Sequence, residues 1–543
     1  MSQTQPVSET WSRTRPCVGG REGAVACGHP LAAQAGLDML RSGGNAVDAA
    51  IAMAVAVGVV EPYMSGVGGN GLMLIHLADG TTTSLNFTGY APQSTQLELL
   101  TPENIDVGPR ASMVPGNIAG WCMALEQYGT KSRQDVFAPA VSLAEDGFPL
   151  LPFNVRMIES NLARLNPAGS EVFNRPPIRI GAMLKQTDLA RTLTDLAQVG
   201  SNLFYKGGLG KTIAEYIQSQ DGFLSAADLA GFQPEWQPPV SVTFRDCEVV
   251  TCAPNCEGFQ ILQTLKLLEP FELAKLGHNS AAYVHLLTEA MKLAVADRIA
   301  WSGDPRLFPV PVEQLLADDY INRRRRFIDE DRASFSEGER PARLRPPQSV
   351  PAGTPEGMTT HMAAVDAQGN SACITQSFGN GFGSGVMIPG TGLLLNNFIW
   401  WTEIDPEAPP RHQARGGQQW SCCMSPLQVF RGGKFWFSIS TPGSWGILQT
   451  TVQMLLNVIE FGMDPQLAID APRFRLWEGT RIQMESRFDA AARAELTARG
   501  HQIEDVPAFS HYVGGGQAVM IDQQSGARLA GADPRRDGYA LAY

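Results

Sequence analysis

The stretch GTPEGMTTHMAAVDAQGNSACITQSFGNGFGSG, residues 353–385, decides how this chain is read. A proline- and glycine-rich run ends abruptly at Thr359-Thr360, and strand-like sequence begins there. One explanation is the ordinary end of a loop. The other is that the chain is cut ahead of Thr359, which becomes a new N-terminus. Its hydroxyl is then a nucleophile and its own α-amine the general base. An α-amine titrates near 7.7–8.0, so about a tenth to a sixth is neutral at pH 7 without any special surroundings. The eight histidines are scattered and form no evident pair with a serine or cysteine, which suits a dyad held in one residue.

Working outward, AAVDAQGNSACITQ reads as two strands around a Gln-Gly-Asn turn. A turn centred on Gln368 places Ser377 opposite Thr359, within reach of the nucleophilic oxygen; a turn centred one residue later places Phe378 there instead. STPGSWG, residues 440–446, precedes a helical pattern, and successive backbone N–H groups at Gly443 and Ser444 are suited to hold a developing oxyanion. The glycine-rich MSGVGGNG, residues 64–71, lacks the Lys-Ser/Thr ending of a phosphate loop and precedes a strand, which argues against nucleotide binding.

The rest of the chain sets bounds. Its 543 residues are 44% hydrophobic and 18% charged, a well-cored globular composition. Forty-two basic against 54 acidic residues give −12, which argues against nucleic acid or an anionic membrane as a general partner. The arginine run in INRRRRFIDEDR, flanked by acidic residues, reads as a solvated helix face. AVDAAIAMAVAVGVV, residues 46–60, is too short to span a bilayer and carries Asp48; it reads as a buried helix with Asn45 as its N-cap. The opening residues lack a secretory h-region, so cytoplasmic residence is the expectation. The nine cysteines form no zinc-type spacing, no metal or other cofactor is expected, and thiols in a reducing compartment fit best. Residues 331–358, with five prolines, form the clearest linker. LAAQAGLDMLRS, EGFQILQTLKLLE and the sequence from 280 to 300 have helical spacing, while GLMLIHL, TTSLNF, CEVVTCAP, GLLLNNF and FWFSIST read as strands. Helical layers around strands predict an α+β sandwich.

Several long motifs, in order, carry a resemblance: GGNAVDAAIAMAVAVGVVEPYMSGVGGNG, GMTTHMAAVDAQGNSACITQS, GFGSGV, GTGLLLNN and the terminal ADPRRDGYALAY. Together they resemble the gamma-glutamyltransferase family from about residue 18 to the C-terminus. The resemblance implies an N-terminal-nucleophile hydrolase with a four-layer αββα fold. It also implies a precursor that cuts itself between Met358 and Thr359 into a large subunit, 1–358, and a small subunit, 359–543, intertwined in one structural domain. An assembly of two such heterodimers is left open. Thr359 resembles the nucleophile, Ser377 stands where the family has a threonine that bonds it, and Gly443-Ser444 align with an oxyanion pair that is normally two glycines.

The glutamate clamp of the family is missing. Thr88, in NFTGYAP, stands in place of the arginine that grips the substrate carboxylate. Cys422 and Cys423 replace two serines, Phe398 and Trp401 in NNFIWW replace the residues that hold the α-ammonium, and Gly379 replaces an asparagine. Threonine does not replace a bidentate arginine. The expected function is therefore an amide hydrolase or acyltransferase working through an acyl-Thr359 intermediate on a small amide other than an ordinary gamma-glutamyl peptide, oxamate-type amides included. The alternatives are a gamma-glutamyl enzyme with a rebuilt glutamate site, or a binding protein that keeps the fold without the chemistry.

Overall fold

A computed structural model of the chain describes residues 14–175, 177–334, 358–477 and 479–543. Two antiparallel seven-stranded sheets lie face to face. In the first the order is Tyr539–Ala542, Ala24–Cys27, Met358–Val365, Ser371–Gly379, Asn70–His76, Thr82–Phe87, Glu235–Gln237. In the second it is Val18–Gly20, Arg528–Ala532, Gln517–Ile521, Lys434–Ser440, Leu427–Arg431, Cys247–Thr251, Val240–Phe244. Each sheet takes strands from both sides of residue 358, so a cut there leaves two pieces joined by shared sheets.

Helices cover both outer faces. Pro30–Arg41 and Ala46–Val60 pack on the first sheet; Phe259–Leu268 and Ile447–Ile459 pack on the second, and Ala281–Trp301 packs against Phe259–Leu268. The result is the four-layer αββα sandwich. Ala46–Val60 begins with a capping box between Asn45 and Asp48, and nearly every residue is buried because it lies between the sheet and further helices. The central hairpin is buried on both faces, and its period of two divides it between two cores. Met362, Ala364, Ala372 and Ile374 face the first helical layer. Ala363, Val365 and Cys373 face the second sheet.

Three expectations change. GLLLNNF gives only a two-residue strand, Leu393–Leu394, followed by a 3-10 turn over Phe398–Trp401. Asn396 is the reason: its amide bonds Gly68 O, Met113 O and the Met113 N–H, diverting the chain from a ladder. The arginine run is not simply solvated. Arg324 bonds Asp297, and Arg325 donates to the Lys266 and Leu267 carbonyls, capping the end of Phe259–Leu268. The linker is also shorter than its composition suggests. Ala333 and Ser334 are tied to Arg499 O and Glu289, Met358 already lies in a strand, and residues 335–357 lie outside the described residues.

Candidate active site

Thr359 is the second residue of Met358–Val365 and only 4% exposed. The hairpin turns over Asp366–Asn370, where Asp366 accepts from the Gln368 and Asn370 N–H groups, and Thr359 pairs with Ser377. The register slips between Met358 and Thr359, so Met358 faces Gly379. This bulge sits at the expected cleavage bond. Ser377 Oγ accepts from the Gly379 N–H at 2.8 Å and donates to Met358 O at 2.6 Å, the carbonyl of that bond. A hydroxyl so held is placed to stabilise negative charge on that carbonyl oxygen.

Gly379 has φ +102, and a Cβ there would lie 2.2 Å from Asn397 Oδ1 and 3.2 Å from Trp401 Nε1. Glycine is therefore required by the room that Asn397 and Trp401 occupy. As a substrate-binding candidate Gly379 offers no side chain, and its N–H is committed to Ser377. Asn397 is itself fixed, accepting from the Asn380 N–H and donating to Asp106.

On the facing sheet, the strand Lys434–Ser440 leads to Gly443, φ +133, and Ser444, φ +60, ahead of the helix Ile447–Ile459. Ser444 thus holds a left-handed conformation that favours glycine, as the aligned family residue would. Among the described residues neither the Gly443 nor the Ser444 N–H donates to a backbone carbonyl. Thr441 Oγ1 accepts from the Gly515 N–H and braces the turn.

The pocket candidates divide. Trp401 and Trp445, which follows Ser444, have ring centroids 4.9 Å apart, and Trp401 also contacts Trp420. Trp401 Nε1 and Trp445 Nε1 have no protein acceptor among the described residues. Phe398 is buried and stacks on Trp420 at 4.5 Å, so it packs as core behind Trp401 and Trp420. Thr88 is buried in a polar network with Asn86, Asn255 and Gln419, which leaves its hydroxyl occupied. Cys422 and Cys423 are buried, and burial pushes both thiols well above the ordinary range. They stay protonated and can carry no charge to a substrate.

The family model described as Gamma-glutamyltranspeptidase matches residues 32–543. The chain belongs to the gamma-glutamyltranspeptidase family. It is an enzyme of the N-terminal-threonine amidohydrolase and acyltransferase kind, on the fold of that superfamily. Over 563 residues it is 33% identical to the acylase ACY 1 proenzyme of Pseudomonas sp. (strain SE83), covering 99% of this chain and 96% of that one. It is 31% identical to the glutathione hydrolase proenzyme of Bacillus subtilis (strain 168), covering 96% and 92%. The solved cephalosporin acylase from Bacillus halodurans matches with a TM-score of 0.89 at 31% identity over 99% of each chain.

Within this family framework the sequence reading missed several groups. Arg298 Nη1 bonds both Glu257 oxygens, at 3.0 and 3.1 Å, its guanidinium lies over Trp445, and Glu257 N–H donates to Cys422 O. Glu61 and Arg536 lie against the strand that begins Met358-Thr359-Thr360. All four are charged residues in buried positions, but sequence patterning places Arg298 on a helix and gives it no partner. One group of cation-ligand type occurs among the described residues, His285, Glu289 and His501. There Lys292 Nζ already lies 2.6 Å from Glu289 Oε1, and His285 Nδ1 is 2.8 Å from His501 Nε2, so a protein ammonium supplies the positive charge. No helix among the described residues is long and apolar enough to cross a membrane.

Proposed function

We propose that this chain cuts itself between Met358 and Thr359 and then hydrolyses or transfers the acyl group of a small amide through Thr359. The observation that carries the reading is the 2.6 Å hydrogen bond from Ser377 Oγ to Met358 O beside the register slip. In maturation, Thr359 Oγ adds to the Met358 carbonyl carbon, the oxyanion forms against Ser377, and the C–N bond breaks as the Thr359 nitrogen takes the hydroxyl proton. Water then hydrolyses the ester, leaving a Met358 carboxylate and a free Thr359 amine. In turnover that amine takes the Thr359 hydroxyl proton as the oxygen attacks the substrate carbonyl. The Gly443 and Ser444 N–H groups hold the oxyanion, the protonated amine gives its proton to the leaving substrate nitrogen as the C–N bond breaks, and water or an acceptor amine resolves the acyl-enzyme.

The pocket supports an acyl group other than glutamyl. Nothing at Thr88, Gly379, Phe398, Cys422 or Cys423 reproduces a clamp for an amino-acid zwitterion, and Glu257 is committed to Arg298. Trp401 and Trp445 instead offer ring faces and N–H donors, which suit a flat or apolar acyl group bearing acceptor atoms. The acylase names of two relatives agree with this reading. The reducing cytoplasm suits the thiols at Cys422 and Cys423. The test is a panel of acyl anilides against wild type and Thr359→Ala. Turnover of non-glutamyl acyl groups by wild type alone is expected. Turnover of a gamma-glutamyl anilide at the rate of a glutathione hydrolase would overturn the pocket assignment.

A further inference from the structure

Two buried charged residues sit directly behind the nucleophile strand and have no part in the steps above. Glu61 closes the helix Ala46–Val60, is 2% exposed, and accepts from Thr360 Oγ1 at 3.0 Å through Oε2. Room for it comes from Gly28, where any Cβ would lie 2.7 Å from Glu61 Oε2 and 2.9 Å from Thr360 Oγ1. Arg536 enters from the C-terminal segment and donates from Nη1 to the carbonyl oxygen of Thr359 itself, at 3.3 Å. The two residues feel each other's charge. One therefore holds the residue after the nucleophile, and the other holds the nucleophile's own backbone.

We propose that Glu61 and Arg536 act as a positioning pair that fixes the head of the strand and sets the acidity of the Thr359 α-amine that serves as base. This rests on Thr359 being the nucleophile. The sign follows from the geometry. A guanidinium on the Thr359 carbonyl disfavours a second positive charge on the same residue and keeps the amine neutral. An ionised Glu61 offsets that field and favours the ammonium. Burial pushes the Glu61 carboxyl up to about 7, so its charge changes where the amine must act.

Several of the other groups around the pair keep one charge state in that range. Burial holds the Tyr63 hydroxyl and the Cys27 thiol neutral, and the His511 imidazole, lowered to about 3, is neutral too. Asp533 is held ionised by Arg473 and Arg535, and the Arg156 side chain lies near Arg536. Asp537, also near Glu61, is pushed up by burial and accepts from the Phe153 N–H.

The experiment is the pH dependence with which cyanate modifies the Thr359 amine of the mature protein, read by peptide mass across about pH 5 to 9. No substrate is needed. Glu61→Gln keeps an acceptor for Thr360 and removes the charge, so the amine is expected to titrate about one pH unit lower. Arg536→Gln is expected to move it upward by a similar amount, and one folded variant of the two suffices. An amine that titrates at the wild-type pH in the variant that folds overturns the proposal. If no chain begins at Thr359, there is no such amine, and it is the proposed function that fails.

Discussion

At the scale of single residues, the chemistry turns on who holds the oxygen of Met358. Ser377 donates to it while accepting from Gly379, so its proton has one direction to point. Ser377→Ala removes the donor and is expected to slow self-cleavage by a factor of about 10² to 10³, whereas Ser377→Thr should cleave near the wild-type rate. A time course on denaturing gels measures both; an unchanged rate in the alanine variant would remove Ser377 from the account. The pairing of Thr359 with Ser377 was one of two registers that the hairpin sequence allowed, since a turn centred one residue later would have set Phe378 there. Glu61 and Arg298 were not legible: their partners lie 299 and 41 positions away, and no local pattern announces such contacts. The pocket substitutions were legible as losses of charge. What replaced the charge was not, because Trp445 reads as one more aromatic until it is seen beside Trp401 and Arg298.

At the scale of elements, two turns carry backbone that side chains resist. Gly379→Ala places a Cβ 2.2 Å from Asn397 Oδ1 at φ +102. It should destabilise the protein by about 2 kcal/mol and slow cleavage, since the N–H that orients Ser377 shifts with it. Thermal melts and the same gel assay decide this; a stable, fast-cleaving variant would contradict the packing described. Ser444→Gly relieves a left-handed serine while keeping its N–H. Activity should be retained, with stability equal or raised by up to about 1 kcal/mol. A loss of a hundredfold in kcat would show that the serine side chain, not the backbone, matters there. The helices and the central hairpin follow their sequence periodicity closely. The strand expected at GLLLNN does not, because two asparagine side chains take over backbone partners that a ladder would have used.

At the scale of the whole molecule, the fold buries ionisable groups in fixed states. Burial lowers His29 and His278 to about 4, and His361, His501 and His511 to about 3. These rings are neutral in the fold and protonate more readily when it opens. Their contribution is full above an unfolded histidine value of about 6.5 and is lost as pH falls toward 4 and 3. Asp533 and Glu485, paired with Arg473 and Arg535, are held below the usual carboxylate range and add a further loss once pH falls below about 4. The melting temperature should therefore decline steadily from pH 6.5 downward; a flat profile to pH 4.5 would contradict these assignments.

Because each sheet mixes strands from both sides of residue 358, the pieces should stay together after a cut, and one determination reaches the centre of the account. It is intact mass and N-terminal sequencing of purified, active protein. The account predicts two co-purifying chains, the smaller being the 185 residues from 359 to 543 with threonine first. Full activity from a single uncut chain, or from a small chain that begins at any other residue, would contradict it.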